Sequence, residues 1–128
     1  MPRLLTVLLA LVAFSLPACS KKETHEDVAR DAIGTMKEMG DVLAKITDKA
    51  SAQKHVKELE TLSAKVKEQK AKMETMGAPS KADEEAMQKK LEGEMQAAMQ
   101  KMMNESMRIA QDPEIMAVVG PVLQTMGE

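Results

Sequence analysis

Three stretches of this chain carry apolar residues at steps of three and four, with Lys and Glu filling the opposite faces. That spacing matches the 3.6-residue period of an α-helix and restricts the chain to helices that bury one side. The first stretch places Val28, Ala32, Met36, Met39, Leu43 and Ile46 on one face. The second places Ala52, Val56, Leu59, Leu62, Val66, Met73 and Met76 there, with Gln69 interrupting the stripe. The third runs Met87, Leu91, Met95, Ala98, Met102 and Ile109, broadened by Met99 and Met103. No alternating strand pattern and no Asn-Gly hairpin signal occurs between them, so the fold class is all-α.

Local punctuation sets the boundaries. Thr24 with Asp27, and Ser80 with Asp83, have the spacing of capping boxes, in which paired side chains satisfy the free amides of a first turn. Gly77 followed by Pro79 is a stop signal, and Thr47-Asp48-Lys49 with Ser51 is the best break in the first half. These signals predict helices near 24–47, 50–76 and 81–110, and together a bundle over 24–111. Short connections between helices of similar length favour an antiparallel up-down-up three-helix bundle. The end differs: Asp112-Pro113-Glu114 starts a short helix, and Gly120-Pro121 is expected to bend the chain within a tail over 112–128. Ile115 to Val119 is apolar all round. It must fold back onto the bundle, dock a partner or form a self-association patch.

Composition narrows function. Phe14 is the one aromatic residue, so everything after it must pack a core from Ala, Val, Leu, Ile and, above all, Met. Thirteen methionines, twelve of them beyond Met1, make a flexible, poorly specifying core the expectation. A formal net charge of −2 gives no electrostatic footprint for nucleic acid, and no aromatic platform exists on which bases could stack. Sugar platforms and aromatic cages for cations fall for the same reason.

Catalytic equipment is thin. His25 opens the first helix and His55 lies near the start of the second, opposite ends of an up-down arrangement, so the two cannot share a metal. Both are expected to be solvated or partly packed. Neither is preceded three residues earlier by the Glu of a helical di-iron site, and no phosphate loop, nucleophile elbow or Cys-x-x-Cys occurs. A non-enzymatic role is the expectation. The remaining chemistry is thioether sulfur, a soft ligand for monovalent copper or silver. Met36/Met39, Met73/Met76 and Met99/Met102 pair at helical spacing. Met95, Met99, Met102 and Met103 are the candidate Cu(I) or Ag(I) ligands, with Met107 extending the row. The competing reading of the same spacing is core packing or an adaptable contact surface.

The first nineteen residues carry an address. Arg3 precedes an unbroken apolar run from Leu4 to Phe14, followed by Ser15-Leu16-Pro17-Ala18-Cys19. The run is too short to span a bilayer, and its layout is that of a secretory signal over 1–18. Leu16, Ala18 and Cys19 resemble the lipobox of bacterial lipoproteins, with Pro17 where that family more often has a small or β-branched residue. The resemblance implies cleavage before Cys19, a thioether-linked diacylglycerol on its sulfur, usually an amide-linked acyl chain, and a tether over 19–23. It places the protein in the cell envelope, lipid-anchored to a membrane and facing the periplasm. Ser20, where an aspartate tends to mean inner-membrane retention, matches the outer-membrane pattern. Lys21 and Lys22 follow, either against anionic headgroups or as a solvated leader to the first helix. The remainder lacks the Leu-Thr-x-x-Gln repeats of the periplasmic helical chaperones. Its expected partners are the membrane and either an unidentified protein or a second copy.

Overall fold

A computed structural model describes residues 22–126; the signal over 1–18, Cys19 and the first part of the tether lie outside the described residues. Within 22–126 the chain is all-α, with four helices and no strand: α1 (His25–Ala44), α2 (Lys49–Met76), α3 (Lys81–Ala110) and α4 (Pro113–Met126).

Each start is fixed by a side chain that takes an orphan amide. Thr24 Oγ1 accepts from the Asp27 amide at 3.2 Å while the Asp27 carboxylate accepts from the Thr24 amide at 3.0 Å. At α2 the cap is Asp48, in a second reciprocal box with Ser51. Ser80 accepts from the Asp83 amide, and the Asp112 carboxylate accepts from the amides of Glu114 and Ile115. α2 ends at Gly77, whose φ of 75° is left-handed territory that a residue with a Cβ enters only under strain.

Two boundaries depart from the sequence reading. α1 stops at Ala44 rather than at 47, because Ser51 Oγ takes the amides of both Thr47 and Asp48 and holds them out of the helix. α4 does not bend at Gly120-Pro121 but continues to Met126. Two circumstances permit this. Gly120 has no Cβ to clash with the proline ring, the clash that usually keeps a pre-proline residue out of the α region. The carbonyl that Pro121 cannot serve belongs to Ala117; both residues are exposed, so water can replace the lost donor.

α1 packs against both α2 and α3, and α4 packs against the same two helices, whereas α2 and α3 do not pair directly. The larger of two apolar clusters joins Met39, Leu43 and Ile46 of α1 with Leu59 of α2, Ile109 of α3 and Val119 of α4. The smaller joins Ile33 of α1 with Leu91 and Ala98 of α3. Methionine does not dominate either. Among the described residues Met39 alone of the methionines is a buried core residue, and the other fully buried large side chains are Leu, Ile and Val, with Thr35. Branched side chains fill the centre, since each loses little rotamer freedom there and contributes about 1.5–3 kcal/mol. The long, flexible thioethers sit at the margins.

Cross-helix polar contacts align these elements. Lys90 of α3 meets Glu26 of α1 at 3.0 Å, Lys37 of α1 meets Glu94 of α3 at 3.1 Å, and Lys101 pairs with Asp41. Gly40 lies beneath the Lys101 stem, whose carbons would stand 3.1 Å from an added Cβ. The absent side chain gives Lys101 its path across α1. Arg108 donates through Nη2 to the Leu43 carbonyl at 2.8 Å, supplying a cation to α1, whose last turn has no basic residue before the Lys45 cap.

Candidate functional site

The candidate sulfur ligands divide between surface and interior. Met95, Met99 and Met103 are exposed, whereas Met102 turns inward and packs on the larger apolar cluster. Exposure also includes Met107, at 60% the most open of the row, and Met95 is the least at 41%. These four are the exposed large hydrophobic side chains among the described residues. They follow one another at steps of four on α3, a spacing that forms one ridge of the helix surface. At 3.6 residues per turn each step advances about 40°, so the ridge winds through about 120° between Met95 and Met107. Of the four candidate ligands read from the sequence, Met95, Met99 and Met103 lie on this exposed ridge together with Met107, and Met102 does not. A strict i, i+4 count starting from Met95 finds Met107.

The ridge begins beside a groove of about 660 Å³ formed by α1, α2 and α3. Met95 belongs to both. Ile33 and Met36 line it from α1, Met73 from α2, and Met87 and Leu91 from α3. Nothing in the sequence stripes announced it, because it depends on how much of the inter-helix space α4 fills. Gln69, the residue that interrupts the α2 stripe, also borders the groove and is buried, donating through Nε2 to Thr35 Oγ1 at 2.9 Å. Its Oε1 has no hydrogen-bond partner.

The histidines are placed apart. His25 Nε2 donates to the Gly77 carbonyl at 2.9 Å, tying the start of α1 to the end of α2. His55 Nδ1 lies 3.1 Å from Glu58 Oε2 on its own helix. Twenty-two residues of chain, nearly all helical, separate His55 from Gly77, about 33 Å at 1.5 Å per residue, so the imidazoles share no site. No group of three or more His, Cys, Asp or Glu side chains that would hold a metal occurs among the described residues. No helix there is long and apolar enough to cross a membrane.

Four carboxylates are held below their ordinary range. The Lys90 ammonium, with Arg30 beside it, depresses Glu26; Lys101 depresses Asp41; Lys37 and then Arg30 depress Glu94. Asp48 is lowered chiefly by the Ser51 amide it accepts from in its cap. All four stabilise charge on the surface, and none faces the groove or the ridge as a proton-transfer group. No model of a protein family, no curated protein and no solved structure matches the chain.

Proposed function

We propose that this is an exported, lipid-anchored, non-enzymatic helical module that meets its partner through the methionine ridge of α3. The signal over 1–18 and the lipid on Cys19 would hold it to the periplasmic face of the envelope, with the outer membrane favoured by Ser20. The folded part is an up-down-up bundle of α1, α2 and α3, with α4 returning along α2 and α3. The pairings Glu26–Lys90 and Asp41–Lys101 run in the same order along α1 and α3, which supports a parallel pair. His25–Gly77 and Thr35–Gln69 run in opposite order along α1 and α2, which supports an antiparallel one.

The observation that carries the contact surface is the confinement of exposed large apolar side chains to one ridge. Isolated exposed hydrophobics need no explanation, but four on one helical row form a patch. Their identity suits a binding role, because methionine adapts its shape to more than one partner surface. A ridge at i, i+4 spacing also fits between the ridges of a second helix. Met99→Lys with Met103→Lys should abolish association while leaving the melting temperature nearly unchanged, since exposed positions shift stability by about 0.5 kcal/mol or less. Association is read by sedimentation and by co-purification from detergent-solubilised envelopes. Mass spectrometry of the N-terminal peptide reports the acyl groups. A cytosolic species with its leader intact, or an unmodified Cys19 thiol, would overturn the anchoring. Unaltered association in the double variant would overturn the ridge.

The same row supports a second reading, a Cu(I) or Ag(I) buffer, because successive turns of α3 present thioethers side by side. Exchanging Met95, Met99, Met103 and Met107 for Leu separates the two. The exchange keeps an apolar ridge of similar volume and removes every thioether of the exposed ridge. Calorimetric titration with Cu(I) under reducing conditions should then lose its signal only if the metal reading holds.

A further inference from the structure

The groove beside Met95 is largely apolar, with the buried Gln69 amide at its border, and lies between two helices that do not pair with one another. Elsewhere in the molecule the space between α2 and α3 is filled by the apolar side of α4, through Ile115, Val119 and Val122. No α4 residue lines the groove. From Glu84 to Met95 it follows twelve residues of α3, eleven rises of 1.5 Å or about 16.5 Å, so it is long and narrow. Its apolar lining is Ala, Val, Ile, Leu and Met with no aromatic ring, which suits a flexible hydrocarbon chain better than a flat one, and Gln69, Lys70, Glu84, Gln88 and Glu92 also border it.

Where the chain leaves the described residues says what such a groove would meet. Lys22 borders a second cleft, shared with His25, Lys72 and Lys90, and this cleft meets the groove at Met87. Two residues, Ser20 and Lys21, lie between Cys19 and Lys22, and the three steps reach about 10 Å when extended. A lipid on Cys19 therefore keeps this end of the molecule at the bilayer surface. From these relationships we infer that the groove takes a single aliphatic chain of a membrane lipid, drawn from the bilayer to which the protein is tethered. The proposal rests on the anchoring reading of Cys19, and it differs from the ridge proposal in site and ligand, with Met95 alone shared between the two. The chain enters from the Met87 end and lies against Met36, Met73, Leu91 and Met95. Each buried methylene contributes favourably, and the four thioethers adjust to its kinks.

The methionine methyl groups report occupancy directly. Native protein with isotope-labelled methionine methyls is reconstituted in vesicles of phosphatidylethanolamine and phosphatidylglycerol containing a phospholipid with a mid-chain nitroxide. The expected result is strong broadening of Met36, Met73, Met87 and Met95 with Met103 and Met107 spared. Ala32→Glu, which puts a charge on the groove floor, should weaken the effect roughly tenfold or more at the same four methyls while circular dichroism stays unchanged. Equal broadening of Met103 and Met107 means the module merely lies on the bilayer, and absent broadening means the groove is empty or holds the protein's own acyl chain. Either overturns the proposal, as does a shift at the four methyls that appears without lipid as protein concentration rises. The mass of the N-terminal peptide tests the tether by itself. If that peptide carries no acyl group, dissolved stearate with the same nitroxide decides the groove. Broadening confined to the four methyls sustains chain binding, and its absence ends it.

Discussion

Gln69 of α2 donates a hydrogen bond of 2.9 Å to the hydroxyl of Thr35 on α1, and both side chains are buried. Thr35 passes its own hydroxyl proton to the Asp31 carbonyl at 3.0 Å, which fixes the amide orientation and leaves Gln69 Oε1 unpaired. A buried acceptor without a partner costs about 1–3 kcal/mol, more than one neutral hydrogen bond returns. Gln69→Leu should therefore stabilise the protein by about 0.5–2 kcal/mol, because it removes the orphan and restores the stripe between Leu62 and Met73. Gln69→Ala should destabilise it by about 1 kcal/mol or more, since the space is left empty. Urea unfolding of both variants checks the pair. The opposite order would show that the amide, not its apolar replacement, is what this position needs.

Arg108 closes the other end of α1. Its guanidinium reaches the Leu43 carbonyl, a last-turn acceptor that also takes the Ile46 amide at 3.1 Å, so Arg108 fills its second lone pair and also meets Glu105 at 2.8 Å. A hydrogen bond to a charged donor contributes about 1.5–3 kcal/mol when the carbonyl is shielded, and this contact is partly buried. Arg108→Met retains most of the apolar stem and should lower stability by about 1–2 kcal/mol. Faster amide exchange should appear in the last turn of α1, where the contact sits, and nowhere along α2. Uniform loss of protection would show that the arginine acts through general packing instead.

The helix starts were legible because capping is local: Thr24, Asp48 and Ser80 announce themselves within four residues of chain. The end of α1 was less so, since it is decided by a cap belonging to the next helix. Arg108 and Lys101 carried no readable signal, as their partners lie 65 and 60 residues away. The apolar stripes located Leu91, Ala98 and Ile109 but could not separate them from Met95, Met99 and Met103. A stripe says which face points inward and not how wide a neighbour covers it. The groove was invisible for a related reason. It exists where α4, at 14 residues, stops short beside helices of 28 and 30.

Pro121 offers a direct test of why α4 stays helical. Its ring withholds a donor from Ala117 on the exposed side, and proline in a helix interior is about 3 kcal/mol worse than alanine when nothing compensates. Solvation of the freed carbonyl and the neighbouring glycine relieve part of that cost. Pro121→Ala should raise the thermal midpoint, with a gain of about 1–2 kcal/mol. Gly120→Val, by contrast, should be destabilising, because a β-branched side chain restores the pre-proline clash and crowds the Met116 methyl, which already lies 3.5 Å from a Cβ there. The double variant Gly120→Val, Pro121→Ala should recover much of the loss if the clash is the cause. No recovery would place the cost in crowding alone.

Acid should separate the ion pairs from the cap. The ordinary value is 4.5 for Glu26 and Glu94 and 3.8 for Asp41 and Asp48, and folding lowers all four. A carboxylate depressed in the folded state binds its proton more readily when unfolded. Its stabilisation is thus complete above the ordinary value and is lost as pH falls through the depressed one. Thermal stability should be flat from neutrality to about pH 5 and decline steadily below it. The partners of Glu26, Asp41 and Glu94 are exposed lysines and the exposed Arg30, so molar salt should shrink their share of the decline. Asp48 accepts from the Ser51 backbone amide at 2.7 Å, a direct hydrogen bond to a neutral donor that salt weakens less than it weakens an ion pair. Asp48→Asn should therefore flatten the acid limb at high salt, whereas Lys90→Gln should flatten it only at low salt. Stability that rose on acidification, or variants that exchanged these salt responses, would contradict the assignment.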